Sequence, residues 1–559
     1  MPVKPLCGLA RALCCALALL MPLQGLQAQV QSQVRLPALG ESAAEDFNVS
    51  TERRLGDQIM GEIRRDPDYL DDPVLLEYLQ ALWQPLVDAA RTRGDVDVDT
   101  GTQFAWEAFL VRDKSVNAFA LPGGFVGVHL GLIAMTASRD ELASVLAHEL
   151  SHITQRHIAR SVANQSRQSL LGVAGMILAV LAASRSNNPD MAQAAIVGSQ
   201  AAMVQGQLNF SRDMEREADR VGFAVLGQAG YDPAGMSAMF EKLDIANRLN
   251  DNGAYPYLRS HPLSLERQSE ARLRAQGVHG TSAATPSPQT WHPLMAARAR
   301  VLMDTSVVAL RRLQEPPLPR PGQTPTDRLA ALYASALASS LLRDHAQAER
   351  RIAEARALLG EQADPEQLRA FALLDAEGRL AAGDVDGAQA QMARVQGRWP
   401  APGQARPVLL LHAHAALQRR GGDRNVGLRS SLEALQTWVA AHPRDAMAWM
   451  LLGTTADALG LRLRALRAQA ESRWLLGDLT GAMDRLRTGR TLARSGAAGQ
   501  DFIEVSIIDA RLRELENLRR QQLAEQRGGR GERGERSDDK DRGSDSDSAK
   551  DGEARPPSL

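Results

Sequence analysis

The chain is poor in cysteine, in aromatic residues and in net charge. Its three cysteines, Cys7, Cys14 and Cys15, all lie near the N-terminus, so the rest of the 559-residue chain can form neither disulfides nor thiolate metal sites. Aromatic residues make up 4% of the chain and hydrophobic residues 44%, a composition that favours helices packed through Ala, Leu and Val. The formal net charge of -1 gives no reason to expect nucleic acid as a partner.

The N-terminus has the three-part layout of a secretory signal peptide. Lys4 and Arg11 precede an apolar stretch over residues 12–23, and Ala28 follows as the last residue before a cleavage point. The apolar stretch is shorter than the roughly 20 residues that a membrane-spanning helix needs. We therefore predict a cleaved signal peptide over residues 1–28, with a membrane anchor as the alternative, and a mature protein without cysteine.

The remainder of the chain changes composition at three points. We predict a mixed domain over residues 29–285, a linker with a first helix over 286–326, a helical region over 327–520 and a disordered charged tail over 521–559. Within the helical region "LAAGDVDGAQAQM" resembles "LLGDLTGAMDRL". Asp344, Asp384 and Asp423 recur at a spacing of about 40 residues, slightly more than the 34 or so of a tetratricopeptide repeat. These echoes predict an α-solenoid of tetratricopeptide-like repeats, with a plain helical bundle as the alternative.

The stretch "LASVLAHELSHITQRH" carries the metal-binding pattern of the mixed domain. Residues four apart lie on one face of a helix, so His148 and His152 can bind the same ion. Glu149 lies on the neighbouring strip, where it can act as general base on a metal-bound water, the nucleophile of H-E-x-x-H zinc peptidases. The pattern predicts a catalytic zinc site.

A catalytic zinc site needs a third protein ligand and an open position. The stretch "MEREADR" offers Glu215 as that ligand, and Asp219, four residues later on the same face, can accept a hydrogen bond from a ligating imidazole. Glu217 lies on another side of this helix and is expected to be structural or solvated. His157 projects about 140° away from His152 on a continuous helix, so we do not expect it in the site.

Together these motifs resemble the zinc metallopeptidase family that includes HtpX and the CAAX prenyl endopeptidases. "HELSH" and "EREAD" are preceded by "VNAFALPGG" and followed by "SHPLSLER", and the repeats are similar to those of the secreted branch of that family. The resemblance implies a mainly α (α+β) fold, with a gluzincin metallopeptidase domain that contains a small β-sheet, followed by the solenoid. It also implies one Zn²⁺ per chain on His148, His152 and Glu215, with Glu149 as catalytic base.

The resemblance adds roles for residues that spacing alone does not single out. Asn117 and Ala118 are expected on an edge strand that receives the substrate backbone. His261 is a candidate fourth ligand in a latent state, or a hydrogen-bond donor to the oxyanion, and Arg267 is a candidate substrate contact. Residues 170–183 are apolar but too short to span a bilayer, and we predict a buried helix over the cleft or a peripheral contact with a membrane surface.

Two functions follow from this resemblance. The first is a periplasmic zinc-dependent endopeptidase that degrades misfolded or stalled outer-membrane proteins and assists their assembly, with the solenoid as docking surface for the assembly machinery. The alternative is mainly a chaperone or adaptor of outer-membrane assembly with a latent zinc site. Only the first requires Glu149.

Overall fold

The computed structural model describes residues 48–163, 211–249, 255–278, 290–316, 321–360, 364–396, 405–495 and 501–542. The predicted signal peptide over residues 1–28 and the apolar segment 170–183 lie outside these ranges. Within them the protein is mainly helical with one small sheet, which confirms the predicted fold class. None of the described helices is both long enough and apolar enough to cross a bilayer.

The sheet of the N-terminal half has four strands in the order β1-β2-β4-β3: β1 (Tyr69–Leu70), β2 (Glu107–Val111), β3 (Ala118–Leu121) and β4 (Phe125–His129). β2 and β4 are parallel, and the other neighbouring pairs are antiparallel. A tight turn joins β3 to β4, and Gly123 and Gly124 adopt left-handed φ angles of 77° and 87° there. A Cβ at Gly124 would lie 2.8 Å from the Phe104 Cβ, so this turn requires glycine. The strand order places β3 at one edge of the sheet.

Helices pack around this sheet. They are α1 (Val49–Ile63), α2 (Pro73–Arg93), α3 (Val98–Gln103), α4 (Leu130–Met135), α5 (Arg139–Thr154), α6 (His157–Ala163), α7 (Arg212–Gln228), α8 (Ala234–Leu249), α9 (Tyr257–Ser260) and α10 (Leu265–Val278). α5 is buried on every side from Asp140 to Ile153, because α2, α7, α8 and β3 all pack against it. The central helix of this domain is therefore the one that carries His148 and His152.

The C-terminal half is a succession of packed helices. They are α11 (His292–Leu302), α12 (Val307–Gln314), α13 (Pro325–Leu341), α14 (His345–Leu359), α15 (Pro365–Ala382), α16 (Val385–Gln396), α17 (Arg406–Gln418), α18 (Arg424–Ala441), α19 (Ala446–Ala458), α20 (Arg462–Leu475), α21 (Leu479–Arg494) and α22 (Phe502–Arg542). α22 runs past residue 520, where the sequence predicts a disordered tail to begin. The disordered tail predicted over residues 521–559 stays a prediction, and residues 543–559 lie outside the described ranges.

The recurring aspartates of the helical region have a structural role at the turns. Of the aspartates that recur in the sequence, Asp344 and Asp384 accept hydrogen bonds at 3.1 and 2.9 Å from backbone amides three residues further on, whereas the side chain of Asp423 makes no such capping bond. Asp478 also accepts a capping bond of this kind, at 2.8 Å. The residue before each of the three capping aspartates has a left-handed φ, and at two of these turns it is glycine, Gly383 and Gly477. The recurring sequence pattern therefore reflects two local features of each of these three turns: a left-handed residue that ends one helix and an aspartate that caps the next.

Buried and partly buried ion pairs join helices of the C-terminal half to the start of α2. Arg298 of α11 lies 2.7 Å from the carboxylate of Asp72 and 3.0 Å from that of Glu377. Arg406 of α17 donates two hydrogen bonds to Asp71, at 2.6 and 2.7 Å. Because α2 also packs against α5, these contacts tie α11 and α17 to the helix that carries the histidine pair.

Candidate metal centre

The two helices that carry the predicted ligands approach each other closely. Ser138 caps the start of α5 and Ser211 caps the start of α7, each accepting a backbone N–H at 3.2 Å. A Cβ at Gly222 of α7 would lie 3.0 Å from the Ala147 carbonyl oxygen and 3.2 Å from the His148 nitrogen. Glycine at this position therefore sets the short distance between α5 and α7.

Four side chains converge between these helices: His148, His152, Glu215 and His261 each offer one ligand atom, all within 4.8 Å of one another. The Nε2 atom of His148 lies 3.0 Å from Nε2 of His152 and 3.3 Å from Nδ1 of His261. The carboxylate oxygens of Glu215 lie 3.4, 3.5 and 2.9 Å from the same three nitrogens. Tetrahedral zinc bonds of about 2.0–2.1 Å place ligand atoms about 3.3 Å apart, so the spacing and the N and O chemistry fit one zinc ion.

Glu149 lies beside this cluster and is fully buried. Its Oε1 atom is 3.5 Å from Nε2 of His261, and neither carboxylate oxygen makes a hydrogen bond of good geometry within the described residues. Burial raises the pKa of Glu149, and the nearby His261 and His148 offset this increase only in part. A buried carboxylate with raised pKa next to a metal cluster is suited to accept a proton.

Asp219 and Arg267 lie behind His148. The Nδ1 atom of His148 is 2.9 Å from Oδ1 of Asp219, the contact that the sequence predicts. Arg267 donates to both oxygens of Asp219, at 2.6 and 2.9 Å, and its Nη1 lies 2.8 Å from Glu215. The buried guanidinium of Arg267 thus orients these two carboxylates. The substrate contact predicted for Arg267 stays a prediction.

His157 contacts the cluster residue His152, against expectation, and Glu217, expected to be structural or solvated, contacts His157. Nδ1 of His157 lies 2.9 Å from Nδ1 of His152, and Nε2 of His157 lies 3.0 Å from Glu217. The expectation assumed a continuous helix through His157, whereas α5 ends at Thr154 and Arg156 adopts a left-handed φ of 51°. This turn brings His157 back towards His152, and a left-handed arginine has no signal in a single sequence.

Ala118 begins the edge strand β3, and Asn117 directly precedes it. The carbonyl oxygen of Asn117 accepts a hydrogen bond from the backbone of His129 at 3.0 Å, on the side of β4. The other edge of β3 pairs with no strand in the described part of the chain, and α5 packs against β3. An extended peptide could therefore pair with this edge close to the cluster, and the role predicted for Asn117 and Ala118 stays a prediction.

Comparison with known proteins agrees with this geometry. Residues 78–275, which include all four cluster residues, match the sequence model of peptidase family M48. The β-barrel assembly-enhancing protease of Yersinia pestis is 31% identical over 504 residues, which cover 88% of this chain and 94% of that protein. The chain belongs to peptidase family M48. The enzyme class predicted from the sequence, a metalloendopeptidase, is thereby confirmed.

Other relatives align with a smaller share of this M48 chain. The β-barrel assembly-enhancing protease of Escherichia coli strain K12 is 36% identical over 240 residues, which are 43% of this chain and 47% of that protein. The mitochondrial metalloendopeptidase OMA1 of Schizosaccharomyces pombe is 34% identical over 162 residues, 29% of this chain and 44% of that protein. The alignments that these relatives share thus cover only about half of their own length.

Metal binding by this M48 peptidase is expected to release a proton. Burial lowers the pKa of His148, but the neighbouring carboxylates of Asp219 and Glu215 outweigh burial and raise the pKa to about 10. His148 therefore holds a proton at neutral pH when no metal is bound, whereas a ligating imidazole must be neutral. The apparent zinc affinity should rise about tenfold per pH unit between about pH 6.5 and 8.5.

Competition with a chelator of known affinity at several pH values measures this slope. Asp219→Asn should flatten the slope, because His148 loses a carboxylate that holds its proton. His414→Ala, at an exposed histidine of α17, is the matched control and should leave the slope unchanged. An affinity that does not change with pH would show that His148 is already neutral in the metal-free protein.

Proposed function

We propose that this chain is a periplasmic zinc-dependent endopeptidase that degrades misfolded or stalled outer-membrane proteins and assists their assembly. The convergence of four nitrogen and oxygen donors at zinc-like spacing, beside a buried Glu149, is the observation that carries this proposal. The name of the relatives, β-barrel assembly-enhancing protease, supports the substrate class. The signal peptide predicted over residues 1–28 supports the periplasm.

The residues of the site can divide the work of hydrolysis among them. His148, His152 and Glu215 would hold the zinc ion, which when bound lowers the pKa of a water ligand and polarises the scissile carbonyl. Glu149 accepts a proton at a carboxylate oxygen and passes it to the leaving amine. Its burial supports this role, because a carboxyl with a raised pKa is a stronger base than an exposed one. Asp219 keeps the His148 imidazole in place from behind.

The open edge of β3 supports a preference for unfolded substrates. A chain that pairs with Ala118–Leu121 must be extended and must have free backbone hydrogen-bonding groups. Folded barrels have already paired these groups between their own strands, whereas misfolded or stalled chains have not. Pairing with β3 would place the substrate backbone next to α5, the helix of His148 and Glu149.

The helical repeats are the proposed docking surface for the assembly machinery. Stacked helical repeats form extended surfaces that suit protein partners. The ion pairs of Arg298 and Arg406 hold the first repeats against α2, so a docked partner is kept near the peptidase domain. A peripheral membrane contact through residues 170–183 stays part of the proposal.

His261 favours a second candidate function, a chaperone or adaptor with a latent zinc site. Its Nδ1 atom lies 3.3 Å from Nε2 of His148 and 2.9 Å from Glu215, at the fourth corner of the donor set. A catalytic zinc site leaves that corner open for water and substrate. The conformation with His261 in the cluster is therefore suited to storing the metal rather than to turnover.

Removal and return of the metal separate the two candidates. The mature protein, with its zinc content measured, is mixed with an unfolded outer-membrane protein and with the same protein folded into its barrel. We expect cleavage of the unfolded form only, loss of cleavage with a zinc chelator, and recovery with one equivalent of zinc. Cleavage that survives full removal of metal would contradict the proposal. Fully loaded protein that binds the unfolded chain but never cuts it would favour the chaperone or adaptor.

A further inference from the structure

We propose that His157 and Glu217 are positioning residues for the metal ligand His152. In this inference, which rests on the proposed metal site, a second imidazole stands behind His152 where a carboxylate stands behind His148. The contacts run in a line from His152 to His157 at 2.9 Å and from His157 to Glu217 at 3.0 Å. We call these three side chains the His152 relay.

The positions of the ring nitrogens leave one arrangement of protons for the relay. Nε2 of His152 points into the cluster, 3.0 Å from Nε2 of His148, so as a metal ligand His152 carries its proton on Nδ1. That Nδ1–H faces Nδ1 of His157, which must then be the acceptor. His157 therefore carries its proton on Nε2, which donates to Glu217. Each donor in the relay has an acceptor, and the tautomer of His152 is fixed with its unprotonated Nε2 facing the cluster.

The His152 relay ends, like the contact behind His148, in a carboxylate that an arginine holds in place. Asp219 receives two hydrogen bonds from Arg267, and Glu217 receives one from Arg160 at 2.9 Å. Both imidazole ligands are thus backed by a carboxylate that is itself held by an arginine. The two supports differ in one respect. His148 contacts its carboxylate directly, whereas the fully buried His157 lies between His152 and Glu217, a carboxylate nearer the surface.

The turn that delivers His157 is anchored from another helix. Arg156, the left-handed residue between α5 and α6, donates from Nε and Nη2 to Glu52 of α1, each at 3.1 Å. Glu52 is 2% exposed and Arg156 is half-buried, so water is kept from the carboxylate side of this ion pair. A left-handed arginine persists only where its surroundings hold it, and this ion pair provides that hold. The position of His157 is thus imposed by α1 as well as by its own helix.

The zinc affinity of relay variants, measured at fixed pH, tests the proposal independently of proteolytic activity. Removing an outer partner of a ligating histidine typically lowers metal affinity about 10–100-fold, and we expect this from His157→Ala. His157→Gln, which can still accept from His152 and donate to Glu217, should recover most of the affinity. His292→Ala is the matched control, since it removes another buried imidazole, bound instead to Tyr78 and to the Thr136 carbonyl oxygen.

The measurement is competition of each variant with a zinc chelator, together with thermal unfolding of the metal-free proteins. A purely structural role predicts that His157→Ala and His292→Ala both lower the unfolding temperature while zinc affinity stays at the wild-type value, and this result would overturn the proposal. If His157→Ala does not fold, Glu217→Ala at a partly exposed residue decides in the same way. Wild-type protein that binds zinc tightly but cuts nothing would refute the proposed function and leave the relay standing.

Discussion

Replacement of Glu149 by glutamine is expected to abolish cleavage of unfolded protein while the metal stays bound. Glutamine has nearly the same shape but cannot accept a proton, so the variant loses the general base and keeps the packing. Loss of a general base typically lowers the rate about 10²–10⁴-fold. Because Glu149 is no member of the donor set of His148, His152, Glu215 and His261, the zinc content should not fall.

Cleavage is followed on a gel, with metal content measured on the same samples. Glu241→Gln provides the matched control, since Glu241 is an exposed glutamate of α8, and it should cleave at the wild-type rate. Equal cleavage by the Glu149→Gln variant and wild type would remove Glu149 from the mechanism. A variant that lost its metal would instead place Glu149 among the groups that hold the ion.

Replacement of His261 by alanine is expected to raise the rate of cleavage. His261 lies 3.3 Å from Nε2 of His148 and 3.5 Å from Oε1 of Glu149. It therefore occupies the fourth ligand position, where water would bind, and also contacts the general base. If the closed form outnumbers the open form by about ten to one, removing the side chain raises the rate about tenfold. The same substitution should weaken zinc binding, since one of four donors is lost.

A lower cleavage rate in the His261→Ala variant would identify the other predicted role of His261, hydrogen bonding to the oxyanion. If its imidazole donates to the oxyanion, alanine lowers the rate about 10²–10³-fold. The matched control is Ser260→Ala, at the preceding residue, whose hydroxyl donates to the Tyr257 carbonyl oxygen at 3.2 Å. Both variants are compared on the same unfolded substrate, at equal zinc content.

The sequence predicted most reliably those features that depend on contacts between residues close together in the chain. The spacing of His148, Glu149 and His152 places them correctly because α5 is one uninterrupted helix up to Thr154. The same holds for Glu215 and Asp219 on α7, four residues apart. Helical period alone therefore predicts which side chains share a face, and the aspartates at the repeat turns follow the same local logic of caps and left-handed residues.

The rest depends on contacts between distant parts of the chain. His157 contacts His152 because Arg156 adopts a left-handed φ. Glu52, more than a hundred positions earlier in the sequence, stabilises that conformation through its ion pair with Arg156. Arg267 lies a long way from Asp219 in sequence, and only the packing of α10 beside α7 shows that it binds carboxylates. No periodicity in the sequence carries this information, so the second imidazole behind His152 could not be predicted.

The zinc coordination of the wild-type protein is the most direct test of the metal centre. X-ray absorption at the zinc edge counts the imidazoles bound to the ion in solution, in the wild type and in the His261→Ala variant. The geometry predicts three imidazoles in the wild type, from His148, His152 and His261, and two in the variant. Two imidazoles in both proteins would contradict the latent four-ligand centre, and fewer than two in the wild type would contradict the metal site itself.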